Sequence, residues 1–107
     1  MSLYCDVIVD IMHSATDRLF SYKISDGMEL KVGQRVLVPF GAQKKEGYVL
    51  RTYDEYKVKL DEKSLKSVIS PLDSYPLLTP ELIWLSVELA KSTHCPLAMC
   101  IRLVLPA

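Results

Sequence analysis

Arg35-Val36-Leu37-Val38-Pro39-Phe40-Gly41-Ala42-Gln43-Lys44-Lys45, followed shortly by Gly47-Tyr48-Val49-Leu50-Arg51-Thr52-Tyr53, is the stretch that decides the fold. In its first part Val36, Val38 and Phe40 fall on every second position, and a period of two marks a strand with one buried face. Pro39 removes a ladder donor, so the strand is expected to end there or to lie at a sheet edge. Residues 41–45 read as a basic loop. Residues 47–53 resume strand character, with Tyr48, Leu50 and Thr52 opposite Val49 and Arg51.

The same alternation recurs on both sides. Over residues 4–12, Cys5, Val7, Val9 and Ile11 point one way and Asp6 and Asp10 the other, which predicts a half-buried strand. A polar loop follows at residues 13–17. Residues 19–24 place Phe20, Tyr22 and Ile24 against Ser21 and Lys23. Asp26-Gly27 signals a turn and Gly33-Gln34 a weaker one. Residues 54–64 are charged and loop-like, and residues 65–72 complete the series as a last strand.

Helix is confined to the end. Thr79-Pro80-Glu81 offers an N-cap, a proline at the first helical position and an acidic first turn. Leu82, Leu85 and Leu89, with Ile83, Val87 and Ala90, make a broad apolar stripe. Residues 93–96 end the helix, since a residue before proline is biased away from helix; residues 96–103 suggest a second short one. Short strands at roughly 10-residue spacing followed by a helix predict a β-rich α+β fold. The expected architecture is a small antiparallel β barrel over residues 4–72, capped by a helical segment over 79–105, in a single domain spanning 4–107. Met1-Ser2-Leu3 reads as an appended start outside the fold. The apolar ending Leu103-Val104-Leu105-Pro106-Ala107 suggests a piece of a longer protein.

Thirteen basic residues balance thirteen acidic ones among 107. A protein that coats many phosphates gains affinity by counterion release and needs an excess of Lys and Arg. Contact with nucleic acid is therefore expected to be short and local. No apolar run approaches the roughly 20 residues that span a membrane. The three cysteines, Cys5, Cys95 and Cys100, give neither a disulfide framework nor a zinc spacing, and read as buried thiols in a reducing cytoplasm.

Enzymatic chemistry finds little support. Residues 41–45 lack the spacing of a phosphate-binding P-loop. His13 and His94 have no metal-ligand spacing, so no metal site is expected. A pairing of His94 with Cys95 or Cys100 lacks an orienting third group, so no catalytic residue is assigned. Phe20, Tyr22 and Phe40 are either aromatics of the barrel core or, in part, the lining of a pocket where a base stacks. Gly41 admits close approach to the backbone. Lys44, Lys45 and Lys66 are either phosphate contacts or solvated lysines. Trp84 reads as a core or interdomain anchor rather than a stacking platform.

The runs Val7-Ile8-Val9-Asp10, Asp17-Arg18-Leu19-Phe20-Ser21-Tyr22 and Gly33-Gln34-Arg35-Val36-Leu37-Val38-Pro39-Phe40-Gly41 together resemble the start of the PriA family of replication-restart helicases. Leu65-Lys66-Ser67-Val68 and Leu72-Asp73-Ser74-Tyr75-Pro76-Leu77-Leu78-Thr79 extend the resemblance over nearly the whole chain from Tyr4 onward. The resemblance implies a non-catalytic module that captures the 3′-terminal nucleotide of the nascent leading strand at arrested forks. The parent would be an ATP-dependent 3′-to-5′ DNA helicase of the bacterial cytoplasm. Phe20, Gly41 and Lys66 take the positions of the family's pocket phenylalanine, glycine and lysine. The family usually has aspartate where this chain has Ser21. A hydroxyl bonds a 3′-hydroxyl without charge assistance, and Asp17 is a candidate stand-in. The 3′-end site expected from the resemblance is thus Phe20, Ser21, Gly41, Lys66 and Asp17, with Lys44 and Lys45 as possible phosphate contacts. No cofactor is expected in this segment; ATP, magnesium and zinc are implied only for the parent. The implied partners are DNA 3′ ends and forked DNA, and through the parent other primosome proteins and single-strand-binding protein, with no membrane. The competing class is a small β-barrel protein-interaction domain with no nucleic-acid pocket.

Overall fold

The computed structural model describes residues 3–9, 19–54 and 65–105. Five strands, β1 (Tyr4–Val9), β2 (Leu19–Lys23), β3 (Arg35–Phe40), β4 (Gln43–Tyr53) and β5 (Ser70–Pro71), precede two helices, α1 (Pro80–Thr93) and α2 (Leu97–Val104). The strands form one antiparallel sheet in the order β2-β1-β4-β3-β5. The expected β-rich α+β class is correct.

The sheet curls without closing into a full cylinder. Its edges are joined by the segment before β5: Lys23 N–H donates to Lys66 O at 2.9 Å and Val68 N–H to Lys23 O at 3.0 Å. A few residues on, Ile69 N–H donates to Leu37 O and Leu72 N–H to Arg35 O, both at 2.9 Å. Residues 65–72 are therefore not the continuous strand that the sequence suggested. They cross from one edge to the other, and only Ser70–Pro71 pairs as a strand. Cys5, Val7, Val9, Tyr22, Ile24, Val36, Val38, Val49 and Val68 fill the interior.

β1 is buried on both faces, where alternation predicted one. Cys5, Val7 and Val9 point into the barrel, while Ile8 packs with Tyr48, Leu78, Ala98 and Ile101 beneath the helices. Ile8 is 2% and Ile101 1% exposed, so truncating either to alanine is expected to cost about 2–5 kcal/mol.

Gly33 anchors the approach to the cap. Its N–H donates to Val49 O and its carbonyl accepts from Leu78 N–H. A Cβ there would stand 1.9 Å from the Leu78 carbonyl oxygen, so only glycine fits. Thr79 caps α1 as expected, its hydroxyl accepting from Leu82 N–H at 3.2 Å. The helix turns on Ser86, which is fully buried and donates to Leu82 O. That rotates Leu85 (44% exposed) out of the apolar stripe and leaves Trp84 (64% exposed) on the surface, so Trp84 is not a core residue. Among the described residues no helix is long and apolar enough to cross a membrane.

Candidate functional site

A cleft of about 440 Å³ opens where the barrel fails to close. Its walls are Leu19–Tyr22 of β2, Pro39 and Phe40 at the end of β3, Gly41, and Leu65 with Lys66 from the crossing segment. The opening has a simple cause. At Lys23 the crossing segment pairs with β2, and at Leu37 it pairs with β3; beyond those residues no backbone pairing among the described residues bridges the gap. Backbone groups of an antiparallel strand face alternate sides. Since Lys23 turns its N–H and C=O outward to residues 66 and 68, Ser21 turns its own toward the gap. By the same alternation Pro39 follows Arg35 and Leu37 in facing that side. Its carbonyl accepts from the Tyr22 hydroxyl at 2.9 Å, a bond that spans the floor.

Six of the residues singled out in the sequence meet here: Phe20, Ser21, Tyr22, Phe40, Gly41 and Lys66. Phe20 and Phe40 are half-buried and pack against the core cluster, their rings edge to face. Each thus belongs partly to the core and partly to the cleft. Gly41 holds φ at +62°, a conformation that favours glycine, and an added Cβ would meet no atom within 4 Å. The space above it is open, and the glycine serves the turn. Lys66 is fixed through its backbone carbonyl, while its side chain is exposed; among the described residues no acidic side chain pairs with it.

Lys44 and Lys45 are not in a loop. The β3–β4 connection is a tight turn at Gly41 and Ala42, so Lys44 pairs with Pro39 and Lys45 with Val38 inside β4. Neither is among the cleft-lining residues. Asp17 lies outside the described residues.

Sequence reasoning missed Asp6. It was read as an outward polar residue, yet it is 4% exposed. The Ser21 hydroxyl donates to Asp6 Oδ1 at 2.7 Å and the Tyr53 hydroxyl donates to the same oxygen at 2.9 Å. Arg51 Nε donates to Oδ2 at 2.9 Å, and its second nitrogen makes a further close contact with that oxygen. The hydrogen bond to Asp6, then the carboxylate's charge, raises the Arg51 pKa. The ladder explains the grouping: Asp6 stands opposite Ser21 on β2 and opposite Arg51 on β4. An aspartate within an otherwise apolar strand, in alternation phase with Ser21 and Arg51, was the available signal. On the interior face, burial and then Asp6 push the Cys5 thiol up to about 12. Among the described residues no group of three His, Cys, Asp or Glu side chains is placed to hold a metal ion.

Residues 6–106 match the sequence model of the PriA 3′ DNA-binding domain (3′BD). The chain is 40% identical over 106 residues to the replication restart protein PriA of Bacillus subtilis (strain 168), covering 97% of this chain and 13% of that protein. It is 45% identical over 65 residues to the protein of the same name from Haemophilus influenzae, covering 59% of this chain and 8% of that one.

Proposed function

The chain belongs to the family of 3′ DNA-binding domains of PriA, a DNA-binding module of replication restart, and from that membership we propose that its cleft captures the 3′-terminal nucleotide of the nascent leading strand at arrested forks. One observation supports this most: the cleft brings Phe20, Ser21, Gly41 and Lys66 together from three separate segments of the chain. Each supplies a different part of what a strand end requires. Phe20 offers a ring to the last base, and stacking of this kind tolerates any sequence. The Ser21 peptide, turned toward the gap, offers a donor and an acceptor to the base or sugar edge. Gly41 leaves its backbone approachable, and Lys66 stands free for a phosphate. A cleft closed at its floor by the Tyr22–Pro39 bond and the crossing segment suits a strand end better than a continuous strand.

The balanced charge agrees with this reading, since one pocket and few phosphate contacts need no basic excess. On the same reading the module positions an ATP-dependent 3′-to-5′ helicase in the bacterial cytoplasm. ATP, magnesium and zinc would then be held by other parts of the longer protein, as would primosome proteins and single-strand-binding protein. The test is a fluorescence titration of the domain with short single strands ending in a free 3′-hydroxyl or in a 3′-phosphate. Tighter binding of the free end is the expected outcome; equal affinity for the two would remove end capture and leave general single-strand binding.

A further inference from the structure

α1 carries a second surface, and no residue of this helix lines the cleft. The helix rests on α2, which in turn lies on β1. Spacings of three, four and seven put Glu81, Trp84, Leu85 and Glu88 on one face of α1, and all four are exposed. Pro80, Glu81, Leu82, Trp84 and Leu85 line a shallow groove of about 570 Å³ there. Trp84 is the chain's single tryptophan, and among the described residues its indole N–H has no acceptor. Among the same residues Glu81 forms no ion pair, while Glu88 meets Lys91 at 3.6 Å within the helix, an exposed pair of little worth.

Charge decides between the occupants such a face can take. A nucleic acid would bring phosphates against Glu81 and Glu88, and like charges repel. A second copy docking through the same face about a two-fold axis would bring carboxylates against carboxylates. A protein segment with an arginine satisfies the site. Its guanidinium stacks on the Trp84 ring as a cation–π contact and donates to the Glu81 carboxylate one turn away, while a neighbouring aliphatic side chain covers Leu85. Size then says where that segment comes from. Two large apolar side chains fall well short of the ~800 Å² per partner of a stable interface between separate proteins. Within one polypeptide the effective concentration reaches about millimolar, and a small face suffices. The chain spans 13% of the Bacillus subtilis relative, so the longer protein has ample length to supply the segment.

We propose that the Trp84–Leu85 face of α1 is an interdomain docking surface for a segment of the longer protein that presents an arginine beside an aliphatic side chain. Trp84 is its anchor and Glu81 its ionic partner. The contact fixes how the cleft is aimed relative to the rest of the protein, and it does not depend on the strand-end reading.

Hydroxyl-radical footprinting read by peptide mass spectrometry measures the exposure of Trp84 directly. Trp84 should be oxidised at least about fivefold more slowly in the longer protein than in the 107-residue chain, as burial of a tryptophan anchor requires. Glu81→Lys, a change on the exposed surface, should return the rate in the longer protein to that of the isolated chain. Glu81→Gln, which removes the charge without reversing it, should recover part of the difference. Equal rates in the longer protein and the isolated chain would overturn the proposal, as would protection that survives Glu81→Lys. Protection that appears in the isolated chain as its concentration rises would assign the face to a second copy. Protection there on adding a single-stranded oligonucleotide would assign it to nucleic acid. Either result overturns the proposal, while strand-end capture is judged separately by the 3′-phosphate comparison.

Discussion

The ring of Phe20 meets that of Phe40 edge to face, with centroids 5.1 Å apart and planes at 80°. The pair joins β2 to the end of β3 where, among the described residues, no backbone ladder does, so side chains help hold the cleft floor.

Phe20→Ala should therefore have two effects of different size. Phe20 is half-buried, so the stability cost is expected at about 1–3 kcal/mol, below the 3–5 of a fully buried phenylalanine. Loss of a stacked base should weaken single-strand binding by about 1–3 kcal/mol as well. Affinity measured well below the variant's melting temperature separates the two. A folded variant with unchanged affinity would assign Phe20 to the core alone.

Lys66→Ala should weaken binding and reduce the slope of log affinity against log salt by about one ion. Its preference among the four terminal bases should not change, because phosphate contacts carry no sequence information. Lys44→Ala, outside the cleft lining, is the comparison. An equal change in slope for both variants would argue for a diffuse field and against a contact at Lys66.

Ser21→Asp should destabilise the fold at neutral pH. The new carboxylate would stand against Asp6, whose present distance to Ser21 Oγ is 2.7 Å. Like charges at such range raise a carboxyl pKa, and a cost of about 1–3 kcal/mol is expected. The raised group favours its protonated form in the folded state, so stability should recover as pH falls toward about 5. Melting curves across that range check the sign; a variant as stable as the original at pH 7 would show that the side chain rotates away from Asp6.

Alkaline pH should weaken the fold through Cys5. Its folded pKa is raised from 9.0 to about 12, first by burial and then by Asp6. A group with a raised folded pKa contributes fully below its unfolded value and loses that contribution as pH climbs to the folded one. The decline should thus fall between pH 9 and about 12, with a slope near 1.4 kcal/mol per pH unit. Cys5→Val, which keeps an apolar group and removes the titrating thiol, should make the decline shallower. The same slope in Cys5→Val would assign it to other groups, Tyr22 among them, whose pKa is also raised by burial.

Much of the fold was legible because alternation is a local property. Val36 and Val38 on β3, and Phe20 and Tyr22 on β2, announced which side faces the barrel before any pairing was known. What stayed hidden depends on register. Asp6 looks like a solvent-facing residue until Arg51 and Ser21 are placed on either side of it. The tight turn at Gly41 was concealed because Gln43, Lys44 and Lys45 are polar, although a hairpin strand outside the core tolerates polar residues. Residues 65–72 have strand composition, but their hydrogen bonds are divided between two edges, which composition does not reveal. Of the two readings of Trp84, core or interdomain anchor, the first fails because the buried Ser86 sets the rotation of α1.

The measurement that tests the central claim most directly is amide chemical-shift mapping of the domain with a short single strand bearing a free 3′-hydroxyl. The account predicts that the largest perturbations fall on Leu19, Phe20, Ser21, Gly41 and Lys66. It also predicts that they shrink when the same strand ends in a 3′-phosphate. Perturbations that leave these residues unmoved and gather on the exposed face of α1 around Trp84 and Leu85 would contradict it.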